Sequence, residues 1–243
     1  MQVLLTGAAG GVGQAAASAL TAAGHQVVGF DRIAARDCAQ MIQGDILDRA
    51  AVIEAAQGCD AVIHLAAMPD ESDFLDNLVQ PNVVGLYHVC DAARQQGCQR
   101  LVLASSVQLV WGHTWDHVIT LEEGAQPVNH YALTKLWAEN LGEMYARCYN
   151  MSVIAARLGW LPRSAEHHQL LIDSPTGRDV FLSHDDAGRF FVAAIAAQMQ
   201  PQQFEPLFVT SIALHEARVD LSRTRQVTGF QPQDTWPEGI RLE

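Results

Sequence analysis

The segment Leu4-Leu5-Thr6-Gly7-Ala8-Ala9-Gly10-Gly11-Val12-Gly13 constrains the fold more than any other part of the chain. An apolar run, Val3 to Leu5, enters a glycine-rich turn, and an Ala-rich amphipathic stretch, Gln14 to Ala23, leaves it. That order reads as strand, tight turn, helix. Glycine lets a ligand lie against the main chain, and the free N–H groups of a starting helix favour an anion. The pyrophosphate of a dinucleotide suits that place. The spacing is not G-x-G-x-x-G. It satisfies Gly-x-x-Gly-x-x-Gly through Gly7, Gly10 and Gly13, and Thr-Gly-x-x-x-Gly-x-Gly through Gly7, Gly11 and Gly13.

A second apolar run, Gln26 to Phe30, ends in Asp31, 18 residues beyond Gly13. A carboxylate at that strand tip accepts hydrogen bonds from the adenosine ribose hydroxyls. Arg32 follows, and arginine can receive a 2′-phosphate. The acid comes first and repels a phosphate, so NAD is expected in preference to NADP. Gln40 to Ile42 reads as a short strand, followed by a turn holding Asp45 and Ile46, where the adenine edge of a dinucleotide would lie. Asp48 to Gln57 reads as a helix. Ala61 to Leu65 has few polar positions, as a strand buried on both faces of a parallel sheet does, and Ala66-Ala67 leaves room for a ligand. A helix opens at Pro81-Asn82 and runs to about Gln96, with strands at Arg100 to Ala104 and Ser152 to Leu158. Strands alternating with helices predict an α/β class, a doubly wound parallel sheet of the Rossmann type.

The formal net charge is −12 and no basic stripe appears, which argues against a nucleic-acid partner. No apolar run is long enough to span a membrane, and the strand-like N-terminal residues lack a signal-peptide pattern. Five scattered cysteines without C-x-x-C spacing read as reduced thiols in a cytoplasmic protein. His113 and His117, and the adjacent His167 and His168, come without H-E-x-x-H, so no metal is expected.

The fifth strand ends in Ser105-Ser106, and ligands bind at the carboxyl ends of parallel strands. After a long loop, Asn129 caps a helix from His130 to about Tyr149 that carries Tyr131-Ala132-Leu133-Thr134-Lys135. Tyr and Lys four apart share one helix face. Lys135 is the single lysine of a chain with fourteen arginines. An ammonium with a shiftable pKa is not interchangeable with a guanidinium, which points to chemistry at Lys135. His184-Asp185 has no G-x-S-x-G elbow to serve, and Ser183 reads as a helix cap.

The glycine turn, Asp31, Ser105-Ser106 and Tyr131-x-x-x-Lys135, in that order, resemble the short-chain dehydrogenase/reductase superfamily. The similarity is greatest to its extended branch of nucleotide-sugar epimerases and dehydratases, over residues 1 to about 200. Gly85-Leu86-Tyr87 and Phe181-Leu182-Ser183-His184-Asp185-Asp186 look most like the uronate dehydrogenases. The resemblance implies Ser106, Tyr131 and Lys135 as the catalytic trio, with Tyr131 as base and Lys135 lowering its pKa. It implies NAD held by Gly7, Gly10, Gly11, Val12, Gly13, Asp31, Arg32, Asp45 and Ile46. On the nicotinamide side it adds Leu65, Ala66, Ala67, Asn82, Ser105, Tyr131, Lys135 and Leu158.

The substrate would meet Met68, Ser106, Val107 and Gln108, with Arg178 on a sugar-acid carboxylate. Val107 and Gln108 stand where uronate dehydrogenases carry Asn-His, and Pro69 where they carry a serine. The expected function is NAD-dependent oxidation of a hydroxyl or hemiacetal on a small polar substrate, a sugar or sugar acid. The alternatives are a nucleotide-sugar epimerase or dehydratase with tightly bound NAD, and an NAD-binding regulatory protein. Residues 1–158 are expected to form the NAD-binding core and 159–243 a small C-terminal substrate-binding portion packed on it. The resemblance also implies a homodimer through helices 82–96 and 130–149.

Overall fold

The structure, a computed structural model, describes residues 1–241. Its centre is a seven-stranded sheet in which every neighbouring pair runs parallel. The strands are β1 (Gln2–Thr6), β2 (Gln26–Asp31), β3 (Gln40–Gln43), β4 (Ala61–His64), β5 (Arg100–Ser106), β6 (Ser152–Leu158) and β7 (Phe204–Val209). The order β3-β2-β1-β4-β5-β6-β7 reverses direction between β1 and β4. This is the doubly wound Rossmann-like fold expected from the strand and helix alternation, and its ligand crevice lies at that reversal.

Side chains alternate along each strand, so each face of the sheet needs its own helical cover. One face, with Val3, Leu5, Ile63, Val102 and Ile154, is covered by α1 (Gly11–Ala22) and α6 (His184–Ala196). These two helices approach so closely that a Cβ on Gly188 would lie 2.9 Å from the Ala15 carbonyl oxygen. Phe190, Phe191, Ala194 and Ile195 of α6 are buried there. The opposite face, with Leu4, Val62, Leu101 and Val153, is covered by α2 (Arg49–Ala55), α3 (Leu86–Gln95) and α4 (His130–Tyr149). Asp48 caps α2 through the Ala50 and Ala51 N–H groups, and Asn129 caps α4 through Ala132 N at 2.7 Å.

Three features go beyond the sequence expectations. Two π-helical turns, Phe74–Leu78 and Gln80–Gly85, precede α3 where one helix from Pro81 is expected. Strand β7 extends the sheet past β6 and packs against α7 (Ser222–Thr228), and a further helix, α5 (Ala165–Asp173), follows β6 in the chain. The segment after β7 is clasped by buried Asp186. Its carboxylate accepts from Ser211 Oγ at 2.7 Å and from the backbone N–H groups of Gln233 and Asp234. Ser183 caps α6 through Asp186 N at 2.8 Å, as its spacing predicts.

Candidate active site

The glycine turn makes one wall of the crevice. Gly7 has φ +73°, and a Cβ there would sit 2.6 Å from the Ala66 nitrogen, so β1 and the end of β4 meet only because the side chain is absent. A Cβ on Gly13 would fall 2.0 Å from the Gly7 carbonyl oxygen, which fixes the tight exit into α1. Gly10 is the N-cap of α1 with no side-chain cap, and the first turn holds no acid. The leading N–H groups of a twelve-residue helix are therefore left for an anion. Asp31, at the tip of β2, accepts from Ala9 N at 3.0 Å and Ile33 N at 3.3 Å, which holds its carboxylate beside the turn. Arg32 is exposed next to it. The set fits a dinucleotide: a cradle a Cβ would fill, an uncapped helix start and a fixed carboxylate.

Asp45 shapes its own turn by accepting from Leu47 N at 2.9 Å, and Ile46 is buried against Gly85. Asn82 is buried and fully engaged. Its amide accepts from Met68 N at 2.8 Å, donates to Met68 O at 3.0 Å, and donates to Thr134 Oγ1 at 3.1 Å. It staples the loop after β4, including Met68, to α4. Thr6 Oγ1 lies 2.7 Å from His64 Nδ1 beneath the turn, and burial with the Lys135 charge lowers the His64 pKa to about 3.

The residues expected to be catalytic come together where β5 and α4 meet. A cleft of about 430 Å³ at the carboxyl ends of the strands is lined by Val12, Leu65, Ala67, Ser105, Ser106, Tyr131, Lys135 and Leu158 from the expected sets. The Ser106 hydroxyl hydrogen-bonds the Tyr131 phenol, and Lys135 Nζ lies 5.4 Å from the Tyr131 ring centre. Burial pulls the Lys135 pKa down to about 8. The phenol departs from expectation. Burial, then the charge of Asp70, push its pKa up, while the Ser106 hydrogen bond and the Arg163 charge pull it down. Lys135 does not offset the burial, because its own lowered pKa lies below that of the phenol, and its charge is gone by the pH at which the phenol would ionise.

Ser105 lines the cleft, but its hydroxyl is committed elsewhere, with Oγ donating to Glu139 Oε1 of α4 at 2.7 Å. Val107 and Gln108 line the cleft, but Arg178 does not. It lies on a short 3-10 turn, Gly177–Asp179, beyond α5. The arginine in the cleft is Arg163, on the segment after β6, with Asp70, Trp111, Trp160 and His167 nearby. Sequence spacing gives no sign of these four or of Arg163, since loops bring them together. Glu71 caps α4 from outside, accepting from Tyr131 N at 2.8 Å and pairing with His130.

Among the described residues, no group of three or more His, Cys, Asp or Glu side chains is placed to hold a metal, and no helix is long and apolar enough to cross a membrane.

The fold and the sequence recur in known proteins. An L-arabinose 1-dehydrogenase (NAD(P)(+)) of Haloferax volcanii is 28% identical over 250 residues, covering 96% of this chain and 96% of its own length. A uronate dehydrogenase of Pseudomonas putida is 31% identical over 163 residues, covering 65% of this chain and 60% of its own. A solved uronate dehydrogenase from Agrobacterium tumefaciens, complexed with NAD, superposes with a TM-score of 0.79 at 25% identity, over 96% of this chain and 84% of that one. The model of the NAD dependent epimerase/dehydratase family matches residues 3–161, well over half of the sequence, and the chain belongs to that family of NAD-dependent enzymes.

Proposed function

We propose that this chain is an NAD-dependent dehydrogenase that oxidises a hydroxyl or hemiacetal carbon of a small sugar or sugar acid. The observation that carries the reading is the meeting of Ser106, Tyr131 and Lys135 in one cleft beside an uncapped, glycine-built helix start. The Gly7–Gly13 turn would hold the pyrophosphate, Asp31 the adenosine ribose, and Lys135 the nicotinamide ribose. When bound, oxidised NAD supplies the hydride acceptor and a positive charge in the cleft. Tyr131, once it has given up its own proton and stands as phenolate, would take the hydroxyl proton while the carbon gives its hydride to the bound cofactor and the carbonyl forms. Ser106 donates to the reacting oxygen and keeps it in line with the phenol. A buried phenol with a raised pKa is a poor base until positive charge joins it, so proton abstraction is tied to cofactor loading.

Residues 159–243 serve this reading as the substrate side, with Arg163, His167 and Leu170 closing the cleft over a small ligand. NADH absorbance during incubation with a panel of sugars and sugar acids tests the proposal. A dehydrogenase accumulates NADH, whereas an epimerase recycles its NAD. Failure of every member of the panel overturns the reading.

The same reading includes a homodimer. Leu133 and Trp137 are exposed one turn apart on α4, and Tyr87 on α3 and Leu75 are exposed as well. Apolar exposure of this extent on two helices supports an interface between copies. Light scattering on the purified protein tests it. A cytoplasmic location completes the reading, supported by five cysteines that are all free.

A further inference from the structure

The mouth of the cleft carries a charged pair that a sugar acid would have to meet. Asp70 stands in the loop after β4 with φ +61°. Non-glycine residues in that region are held by their surroundings, and Asp and Asn are among the few that adopt it. Its carboxylate pairs with Arg163 and accepts from Gln108 Nε2 at 3.4 Å. Gln108 is itself fixed by Asn129, whose Nδ2 donates to Gln108 Oε1 at 2.9 Å. His167 Nε2 lies 3.8 Å from the Asp70 carboxylate but accepts from Trp160 Nε1 at 2.8 Å. That nitrogen therefore carries no proton, and burial favours the neutral ring.

The charge balance of the cleft follows. Its cations are Lys135 and Arg163, and its anions are Asp70 and Glu71. Lys135 belongs to the reaction centre, Glu71 is engaged by Tyr131 N and His130, and Arg163 is matched by Asp70. Among the described residues, no cation lining the cleft is left over for a substrate carboxylate. Asp70 also stands close enough to the phenol for its charge to reach Tyr131. A substrate on Tyr131 therefore lies beside the Asp70–Arg163 pair, whose anion acts on the phenol more strongly than its cation.

We infer that Asp70 is a specificity determinant, which selects neutral polyhydroxyl sugars over sugar acids by occupying Arg163 and presenting a carboxylate to sugar hydroxyls. A bound acid must either displace Asp70 from the guanidinium or lie against a like charge, and both weaken binding. A neutral sugar donates hydroxyl protons to the same carboxylate. This inference rests on the sugar-oxidation reading above.

The test compares kcat/KM for NADH formation from D-galactose and from D-galacturonate, with the parent, Asp70→Asn, Asp70→Gly and Asp70→Asn with Arg163→Gln. Asn and Gly both accept the left-handed backbone, so the loop is preserved. The parent is expected to favour the neutral sugar by at least about tenfold. Freeing Arg163 in either single variant should shift the acid-to-neutral ratio by about tenfold or more toward the acid, and removing Arg163 as well should abolish that gain. A parent that uses the acid as well as the sugar, or a ratio unmoved by both single variants, overturns the inference. If neither compound yields NADH, the oxidation reading is what fails for this pair. Quenching of tryptophan fluorescence in the NAD-loaded protein, read through Trp111 and Trp160, then still reports selection. Tighter binding of the acid by the parent overturns the role of Asp70 by itself.

Discussion

Ser105 Oγ donates to Glu139 Oε1 across 2.7 Å, joining the strand that ends in Ser106 to the helix that carries Tyr131 and Lys135. Glu139 lies one turn beyond Lys135 and two beyond Tyr131 on the same face of α4. Arg157 of β6 grips the same carboxylate with two bonds of 2.9 Å. All three side chains are buried, and Arg157 Nη1 is buried without a partner. Glu139→Ala would leave a buried guanidinium unpaired and should cost about 3–5 kcal/mol in urea unfolding. Glu139→Gln, which keeps an acceptor, should cost clearly less. Equal losses for the two variants would show that the helix is held by packing alone.

Removal of the phenol should separate chemistry from binding. Tyr131→Phe is expected to lower kcat by about 10²-fold or more while NAD binding, measured by calorimetry, stays close to the parent value. Lys135→Arg should also fail, because the planar guanidinium cannot occupy a site shaped for a compact ammonium. Near-parent kcat in either variant removes that residue from the mechanism.

Cofactor choice should follow Asp31. A fixed carboxylate beside the glycine turn repels a 2′-phosphate, so the parent should bind NAD at least about tenfold more tightly than NADP. Asp31→Ala should narrow that gap. It also removes the acceptor for Ala9 N, so the NAD affinity of the variant should fall at the same time. Equal affinities in the parent protein would put the choice with Arg32.

His64 makes stability depend on pH in a defined window. Its folded pKa is lowered to about 3, chiefly by burial, from the ordinary 6.5 of the unfolded chain. Between those values the unfolded state binds more protons, so folding weakens as pH falls through the window, by up to about 1.4 kcal/mol per pH unit from this one group. His64→Asn removes this proton uptake. Urea unfolding at about pH 7.5 and about pH 5.5 should show the parent's advantage over the variant shrinking by about 1 kcal/mol at the lower pH. A constant difference would mean that His64 takes up a proton in the folded protein as well.

The features legible in the sequence were those written in short spacings. Gly7 to Gly13, Asp31 and Tyr131-x-x-x-Lys135 each depend on a turn or a helix repeat, and the structure brings them to one crevice. Strand β7 escaped because Pro206 interrupts it, and proline is admitted there since β7 is an edge strand paired only with β6. Arg163 rather than the expected Arg178 reaches the cleft because α5, which lends it His167 and Leu170, ends before the 3-10 turn that holds Arg178. No local pattern encodes that path. The Tyr131 phenol was read as lowered by its neighbour Lys135, but a pKa belongs to the whole surroundings, and burial outweighs one partner.

The solitary lysine also gives the chain a built-in reporter. A lysine-specific endoprotease has a single bond to cut, Lys135–Leu136, in the interior of a twenty-residue helix and beside a side chain only 7% exposed. Cleavage requires α4 to come off the sheet and unwind, so its rate measures how often that helix opens. Two fragments on a gel would then read the breathing of one element of the fold, undisturbed by cutting at frayed ends or surface loops.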